Sequence, residues 1–325
     1  MTSQLSSLQK YPGGGEGGRA PQTPAMLMRN VIPVLTVTAA LVALWYAAVI
    51  PMNAQWAQDQ ARRAGVELTL PTLVADTMSQ QRPRLPAPHQ VATELWNSTV
   101  VEEMTGRRGF MNTGSLSNRS LIYHGWVTLS ATLLGFAIGS ALGIALAVGI
   151  VHNRAMDVSV MPWAIASQTI PILAIAPMII VVLNAVGITG LVPKAIISTY
   201  LSFFPVVVGM VKGLRAPDQM QLDLMKTYSA TGGQVFAKLR WPSAMPYLFA
   251  SLKVAIAAAL VGAIVAELPT GAVAGLGARL LSGSYYGQTV QIWSALFAAA
   301  ILAASMVALI GVVQRATLKR MGMAA

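Results

Sequence analysis

Apolar residues in this chain come in long blocks that no formal charge interrupts. Asp, Glu, Lys and Arg are absent between Arg29 and Asp59, Arg119 and Arg154, Asp157 and Lys194, Lys194 and Lys212, and Arg279 and Arg315. A helix that crosses a bilayer needs roughly 20 mostly apolar residues. A helix in a soluble core keeps a polar face at helical spacing. The blocks are long enough for the first role, and most lack the polar face of the second. The pattern predicts an all-α polytopic membrane protein with spans at about 31–50, 122–150, 158–183, 190–212, 247–267 and 290–313.

The segments between the blocks differ in kind. Residues 1–30, with "YPGGGEGGRAPQTP", read as a disordered tail. The block at 31–50 is too long for a signal-peptide core and reads as a retained first span. Residues 51–119 are polar, broken by "QRPRLPAP", and near balance in charge, which suits a translocated segment. "QVATELWNSTVVEEM" within it suits an amphipathic helix. The short connections "VHNRAMD" and "AVGITG" read as turns, and the glycine-rich 268–289 as an outer loop. The core then runs over 120–315, interrupted by a basic insert at 213–245, with a basic tail at 316–325. Six spans put both termini on one side, together with Arg154, Lys212, Arg215, Lys226, Lys238, Arg240, Arg315, Lys319 and Arg320. Basic residues collect on the cytoplasmic side, so that side is inside.

Composition sharpens this picture. The 325 residues are 55% hydrophobic and 10% charged, against about 25% charged in ordinary soluble domains. The net charge of +11 lies at membrane edges and is no sign of nucleic acid. There is no cysteine, which excludes disulfides, thiol catalysis and thiolate metal sites. Gly135, Gly139 and Gly143 recur every four residues, a spacing that lets another helix approach closely. His124 and His152 lack partners at ligand spacing and read as interfacial, so no metal site is expected.

The insert "MKTYSATGGQVFAKLRWPSAMP", Met225–Pro246, is too basic for hydrocarbon yet sits between two spans. Its first part, "QMQLDLMKTYSA", predicts a short helix with Leu222, Met225 and Tyr228 on one face. Gly232 and Gly233 permit positive φ at the following turn. Thr231 and Gln234 fit a capping box for the next helix, and Pro242 breaks the pattern before the membrane. Two readings stay open on these residues alone: a loop lying on lipid headgroups, or a handle for another protein.

The same stretch resembles the cytoplasmic EAA loop of ABC importer permeases. Anchored on Pro242, the one identical position, the pattern puts Asp223, Leu224 and Met225 at Glu-Ala-Ala. Ser229 falls at its glycine, Leu239 at its isoleucine and Trp241 at its leucine. "HGWVTLSATLLGFAIGSALGIALA", "QTIPILAIAPMIIV" and "VAELPTGAVAGLG" look like the nitrate/sulfonate/taurine branch, over about residues 120–315. The resemblance implies a type I ABC importer permease fold in the bacterial inner membrane, with both termini cytoplasmic. It implies a cytoplasmic ABC ATPase dimer, a periplasmic solute-binding protein and a second copy of the chain as partners. ATP and Mg would be bound by the ATPase: this chain needs no cofactor, and no G-x-x-x-x-G-K-[ST] occurs in it. The coupling residues it implies are Asp223, Met225, Lys226, Thr227, Tyr228, Ser229, Ala230, Thr231, Gly232 and Pro242. The solute would be a pyrimidine- or thiamine-precursor-like heterocycle, or a sulfonate, taurine or nitrate.

Candidates for the translocation path come from polar or helix-breaking residues in apolar blocks. Ser167, Gln168 and Thr169 lie mid-span, and Pro171 removes a helical backbone bond. They either bond to neighbouring helices or line the path. Glu267, the only acid after Asp223, either reaches water at the membrane edge or belongs to the path or its outer gate. No catalytic residues are expected. An intramembrane hydrolase using Ser282 or Ser284 lacks H-E-x-x-H and G-x-S-x-G. An ATP-independent carrier or channel is the remaining alternative.

Overall fold

A computed structural model describes residues 24–65, 67, 69–100, 120–269 and 272–323, and shows no strand among them. The helices are α1 Pro24–Ala64, α2 Leu70–Ser79, α3 Pro88–Thr99, α4 Leu121–His152, α5 Arg154–Ser167, α6 Ile172–Ala185 and α7 Leu191–Leu214. They continue as α8 Gln219–Thr227, α9 Gly232–Val235, a π turn at Phe236–Arg240, α10 Trp241–Ala266, α11 Leu276–Tyr285 and α12 Thr289–Arg320. Five uninterrupted stretches are long and apolar enough to cross a membrane: Val31–Ala64, Leu121–His152, Leu191–Leu214, Gly232–Ala266 and Thr289–Arg320. The expected third span, 158–183, is not one helix. It is the pair α5 and α6, bent by 96° at 168–171.

The bend has a local cause. Pro171 cannot donate a backbone hydrogen bond and disfavours helical conformation in the residue before it. Here Pro171 is the extended N-cap of α6. The carbonyl of Ser167, at the end of α5, takes the hydroxyl of Tyr200 on α7, so one freed backbone group is satisfied from a neighbouring helix.

The centre of the fold is α7, held between α4 and α10 by small residues. A Cβ added at Gly135 would lie 2.3 Å from the Ser198 Cβ and 2.7 Å from the Ala195 carbonyl oxygen. One at Gly139 would lie 2.1 Å from the Ser202 Oγ, and one at Gly143 2.8 Å from the Phe203 carbonyl oxygen. The four-residue glycine spacing of α4 is thus its contact with α7. The hydroxyls of Thr199 and Ser202 both reach the Gly135 carbonyl, at 3.2 and 3.3 Å. Towards the end of α4 nearest α5, Ala147, Ile150, Val206, Met210, Leu214, Leu248 and Phe249 form the main apolar cluster.

The polar segment after the first span is built on one amide. Asn53 is fully buried. Its side-chain N–H groups donate to the Thr77 and Leu85 carbonyls at 3.2 and 2.9 Å, and its oxygen accepts from the Arg84 and Leu85 N–H groups at 2.9 and 3.2 Å. A buried amide with all its bonds made fixes a unique local fold. This unit rests on α12 through Thr289, whose hydroxyl donates to the Pro83 carbonyl at 2.5 Å. Trp45 adds a bond to the Pro86 carbonyl at 3.0 Å and a ring contact with Trp293 at 5.0 Å. The expected amphipathic helix is α3, which stops at Thr99; residues 101–104 of that reading lie outside the described residues.

Several sequence expectations need correction. The first helix starts at Pro24, within the stretch read as a disordered tail; residues 1–23 lie outside the described residues. The region 268–289 is not all loop, because it contains α11. Gly232 and Gly233 do not take positive φ but open a helix, and the turn's positive φ falls on Ser229. Pro242 does not interrupt the helix: it lies just after the π turn at Phe236–Arg240, within a helix that runs on from Gly232 to Ala266.

Candidate functional site

The insert forms a helical hairpin. Asp218 caps α8, its carboxylate accepting from the Gln221 N–H at 2.7 Å while the Gln221 side chain accepts from the Asp218 N–H at 3.2 Å. The sequence reading missed this cap, although D-x-x-Q was its signal. Along α8, Asp223 takes bonds from Lys226 at 2.8 Å and Gln219 at 3.1 Å. The Lys226 bond, then the Gln219 bond, hold the Asp223 carboxyl below the ordinary carboxylate range. Both side chains are exposed, so the pair orders the surface and adds little stability.

The end of α8 is a Schellman turn. The Ala230 N–H reaches back to the Met225 carbonyl at 3.0 Å and the Ser229 N–H to the Lys226 carbonyl at 2.8 Å. Ser229, between them, has φ 51°. That is the left-handed position which glycine occupies without strain, and it is where the EAA pattern carries its glycine. Thr231 then caps the next helix as its spacing predicts, with its hydroxyl accepting from the Gln234 N–H at 3.4 Å and its own N–H donating to Gln234 at 2.8 Å.

None of α8 is buried. Leu222 and Met225, expected on one face with Tyr228, are half-buried, whereas Met220, Leu224 and Tyr228 are 80%, 55% and 77% exposed. These three lie four residues apart, so they form one outward apolar stripe. From Gly232 onward the chain is continuous helix through the π turn into α10, as far as Ala266. At the π turn Phe236 contacts His152 of α4 edge-on, ring centroids 5.2 Å apart. Arg215, after α7, pairs with Asp157 of α5 at 2.8 Å. The hairpin is therefore tied to α4, α5, α7 and α10.

At the opposite end of α10 lies a second polar cluster. Glu267 follows the last turn of α10 and is completely buried; it does not reach water. Its Oε2 accepts from the Thr128 hydroxyl at 2.8 Å and the Gly277 N–H at 3.0 Å, and its Oε1 from the Lys194 ammonium at 3.1 Å. Thr128 in turn accepts from the Leu276 N–H at 2.9 Å. Carboxylate and hydroxyl together satisfy the first N–H groups of α11, where negative charge is favourable. Gly275 has φ 128°, and any Cβ there would lie 2.1 Å from the Glu267 carboxyl carbon. His124 is buried too, its Nδ1 accepting from the Gly275 N–H at 3.0 Å. The interfacial reading of His124 fails; His152 is exposed, as expected.

The other path candidates do not join this cluster. Ser167 closes α5, and Gln168, Thr169 and Pro171 form the exposed bend before α6. Gln168 donates to the Ser167 hydroxyl at 3.3 Å, and Thr169 to the Ala166 carbonyl at 2.8 Å. Among the described residues no group of His, Asp and Glu has a metal-binding arrangement.

Known proteins resemble this chain over its core. The formylaminopyrimidine transport permease protein ThiX of Halalkalibacterium halodurans is 33% identical over 51% of this chain and 65% of its own length, so the chain spans about two thirds of that relative. The riboflavin transport system permease protein RibX of Chloroflexus aurantiacus is 28% identical over 71% of this chain and 78% of its own length. A solved structure of the inward-facing MetNI methionine ABC transporter aligns with a TM-score of 0.47 and 18% identity, over 62% of this chain and 94% of that one. The profile of the binding-protein-dependent transport system inner membrane components matches residues 139–323. The chain is a multi-pass membrane protein that belongs to this family of transport permeases.

Proposed function

We propose that the chain is the transmembrane subunit of an ATP-driven importer. It works as a homodimer, moved by a cytoplasmic ABC ATPase dimer and supplied by a periplasmic solute-binding protein. The observation that carries this reading is α8: a capped, unburied helix with an outward stripe of Met220, Leu224 and Tyr228. It is turned by a Schellman motif into a 35-residue helix that enters the membrane. A surface helix at the end of a rigid rod transmits displacement. Closure of an ATPase against Asp223–Gly232 would move α10, and Phe236 and Arg215 would carry α4, α5 and α7 with it. ATP and Mg belong to the partner in this scheme, and Pro242 lies on the rod between the hairpin and the apolar part of α10. The relatives named for formylaminopyrimidine and riboflavin favour a small heterocycle as solute, with a sulfonate, taurine or nitrate as the runner-up.

The bend at Ser167–Pro171 supports a path at this face. Irregular backbone within a membrane is tolerated only against protein or a water-filled cavity. Residues 168–171 are exposed in the single chain, so a second copy or an aqueous path covers them. Broken spans also occur in carriers that use no ATP, and this favours an ATP-independent carrier as the second reading. Co-purification separates the two. A Ser229→Arg variant places a long cation at the contact of α8 with its partner, whereas Ser229→Gly relieves the φ 51° backbone, worth about 1 kcal/mol. The expected result is normal membrane insertion of both, loss of the ATPase and of uptake in Ser229→Arg, and retention of both in Ser229→Gly. Full ATP-driven uptake by Ser229→Arg would remove α8 as the handle.

The orientation follows the positive-inside tendency: both termini cytoplasmic, with residues 53–99 outside. Gln81 is exposed on that unit. Gln81→Cys is expected to react with an impermeant maleimide in intact cells, and reaction only after lysis would invert the topology.

A further inference from the structure

The outer ends of α4, α6, α7 and α10, with residues 272–274, line an open pocket of about 590 Å³. That lies in the range of small-molecule sites, about 300–1,000 Å³. Val127, Ile180, Leu191 and Val273 supply apolar wall. Tyr123, Ser130, Asn184, Thr189 and Lys194 supply the polar groups. Among the described residues the side chains of Tyr123, Asn184 and Thr189 make no hydrogen bond, so their donors and acceptors are open to a ligand. Lys194 spends two of its three N–H groups, on Glu267 at 3.1 Å and the Ala274 carbonyl at 3.0 Å. One remains.

The charge balance of this wall decides what fits. Among the described residues Lys194 is the one Lys or Arg lining the cavity, and its charge is matched by the buried carboxylate of Glu267. An anion at the free Lys194 N–H would share one cation with the Glu267 carboxylate, and with no second cation on the wall the two negative charges would lie close together around a single ammonium, which is costly. An uncharged solute gives up nothing. Apolar walls facing open amide, phenol and hydroxyl groups match a flat molecule with apolar faces and a hydrogen-bonding edge. We propose that this cavity is the outer solute site and that it takes uncharged one- or two-ring nitrogen heterocycles, not sulfonate or nitrate anions. The inference rests on the permease reading and deepens it: the Lys194–Glu267 pair is the element that rejects anions.

The chain has no cysteine, so single reporters can be placed in it. Ser130→Cys is nearly isosteric, and the Ser130 hydroxyl bonds only within its own turn, to Val127 at 2.8 Å. Gln81→Cys is a control away from the cavity. The rate of modification by a small impermeant cationic thiosulfonate is measured in intact cells with cytosine, adenine, ethanesulfonate or nitrate added at millimolar concentration. Cytosine or adenine is expected to slow modification of the Ser130→Cys protein at least threefold and to leave the Gln81→Cys protein unchanged. Adding Asn184→Leu to Ser130→Cys is expected to abolish that protection, and the anions to give none. An unreactive Ser130→Cys thiol, no protection by either heterocycle, or equal protection by ethanesulfonate each overturns the proposal. Co-purification of the ATPase is scored on the same cells. ATPase present without heterocycle protection sinks the cavity and spares the permease reading; protection without ATPase does the reverse.

Discussion

Gly135→Leu is expected to leave no folded protein in detergent extracts of membranes. The position is closed by backbone as well as side chain. An added Cβ alone would sit 2.3 Å from the Ser198 Cβ, 2.7 Å from the Ala195 carbonyl oxygen and 3.0 Å from the Thr199 nitrogen. Backbone atoms of α7 cannot give way, because α7 is held from its other side: a Cβ at Gly262 of α10 would lie 2.8 Å from the Ser198 Cα. Overpacking a tight core typically costs about 1–3 kcal/mol, occasionally more. A leucine here must also push apart the Thr199 and Ser202 hydroxyls from the Gly135 carbonyl. Gly125, where an added Cβ meets nothing within 4 Å, is the control; Gly125→Ala is expected to elute unchanged. A monodisperse Gly135→Leu protein of wild-type thermal stability would show that α4 and α7 do not meet this way.

That seam is legible in the sequence because three glycines at four-residue spacing mark one helix face, whatever faces it. The partner is not legible: Ser198 and Ser202 are ordinary residues in an apolar block until α7 is laid against them. The bend between α5 and α6 is half visible. Hydropathy sees 158–183 as one block, since composition carries no direction, and only Pro171 beside Ser167, Gln168 and Thr169 marks the change. Conformational freedom alone assigns the turn of the hairpin to Gly232–Gly233. Yet the capping box at Thr231 already commits the next residues to helix, so the left-handed position has to fall earlier, on Ser229. The candidate site divides in the same way. Residues of the hairpin act through local bonds, three or four positions apart, and sequence spacing reports such bonds well. The Glu267 cluster is built from Thr128, Lys194, Glu267 and Gly277 on four separate elements. Glu267 and Lys194 stand out in the sequence, each as an isolated charge. Their pairing is not legible, because Thr128 and Lys194 lie 139 and 73 positions from Glu267.

Glu267→Gln, the other large effect, is expected to lower stability before it alters transport. The glutamine keeps an oxygen for the Thr128 hydroxyl and the Gly277 N–H, but it turns an amide towards Lys194, whose side chain is only 14% exposed. Removing one partner of a buried pair leaves the other charge uncompensated, at a cost of about 3–5 kcal/mol. The residual exposure of Lys194 puts this case at about 3 kcal/mol, the lower end of that range. The opposite variant, Lys194→Met, strands the carboxylate, which retains two donors and loses the cation beside it. Each single variant is therefore expected to shorten the survival of the monodisperse peak in heated, detergent-solubilised protein. In Lys194→Met/Glu267→Gln neither charge of the pair remains, the α11 cap is still made, and the methionine fills the lysine stem's volume. The double variant is expected to outlast both singles, with a coupling energy above about 1 kcal/mol. Its uptake of anions is expected to differ least from that of heterocycles, because the charge pair that sets them apart at the cavity wall is gone. If the two losses simply add, Lys194 and Glu267 are not one unit, and neither the α11 cap nor the exclusion of anions can be assigned to their pairing.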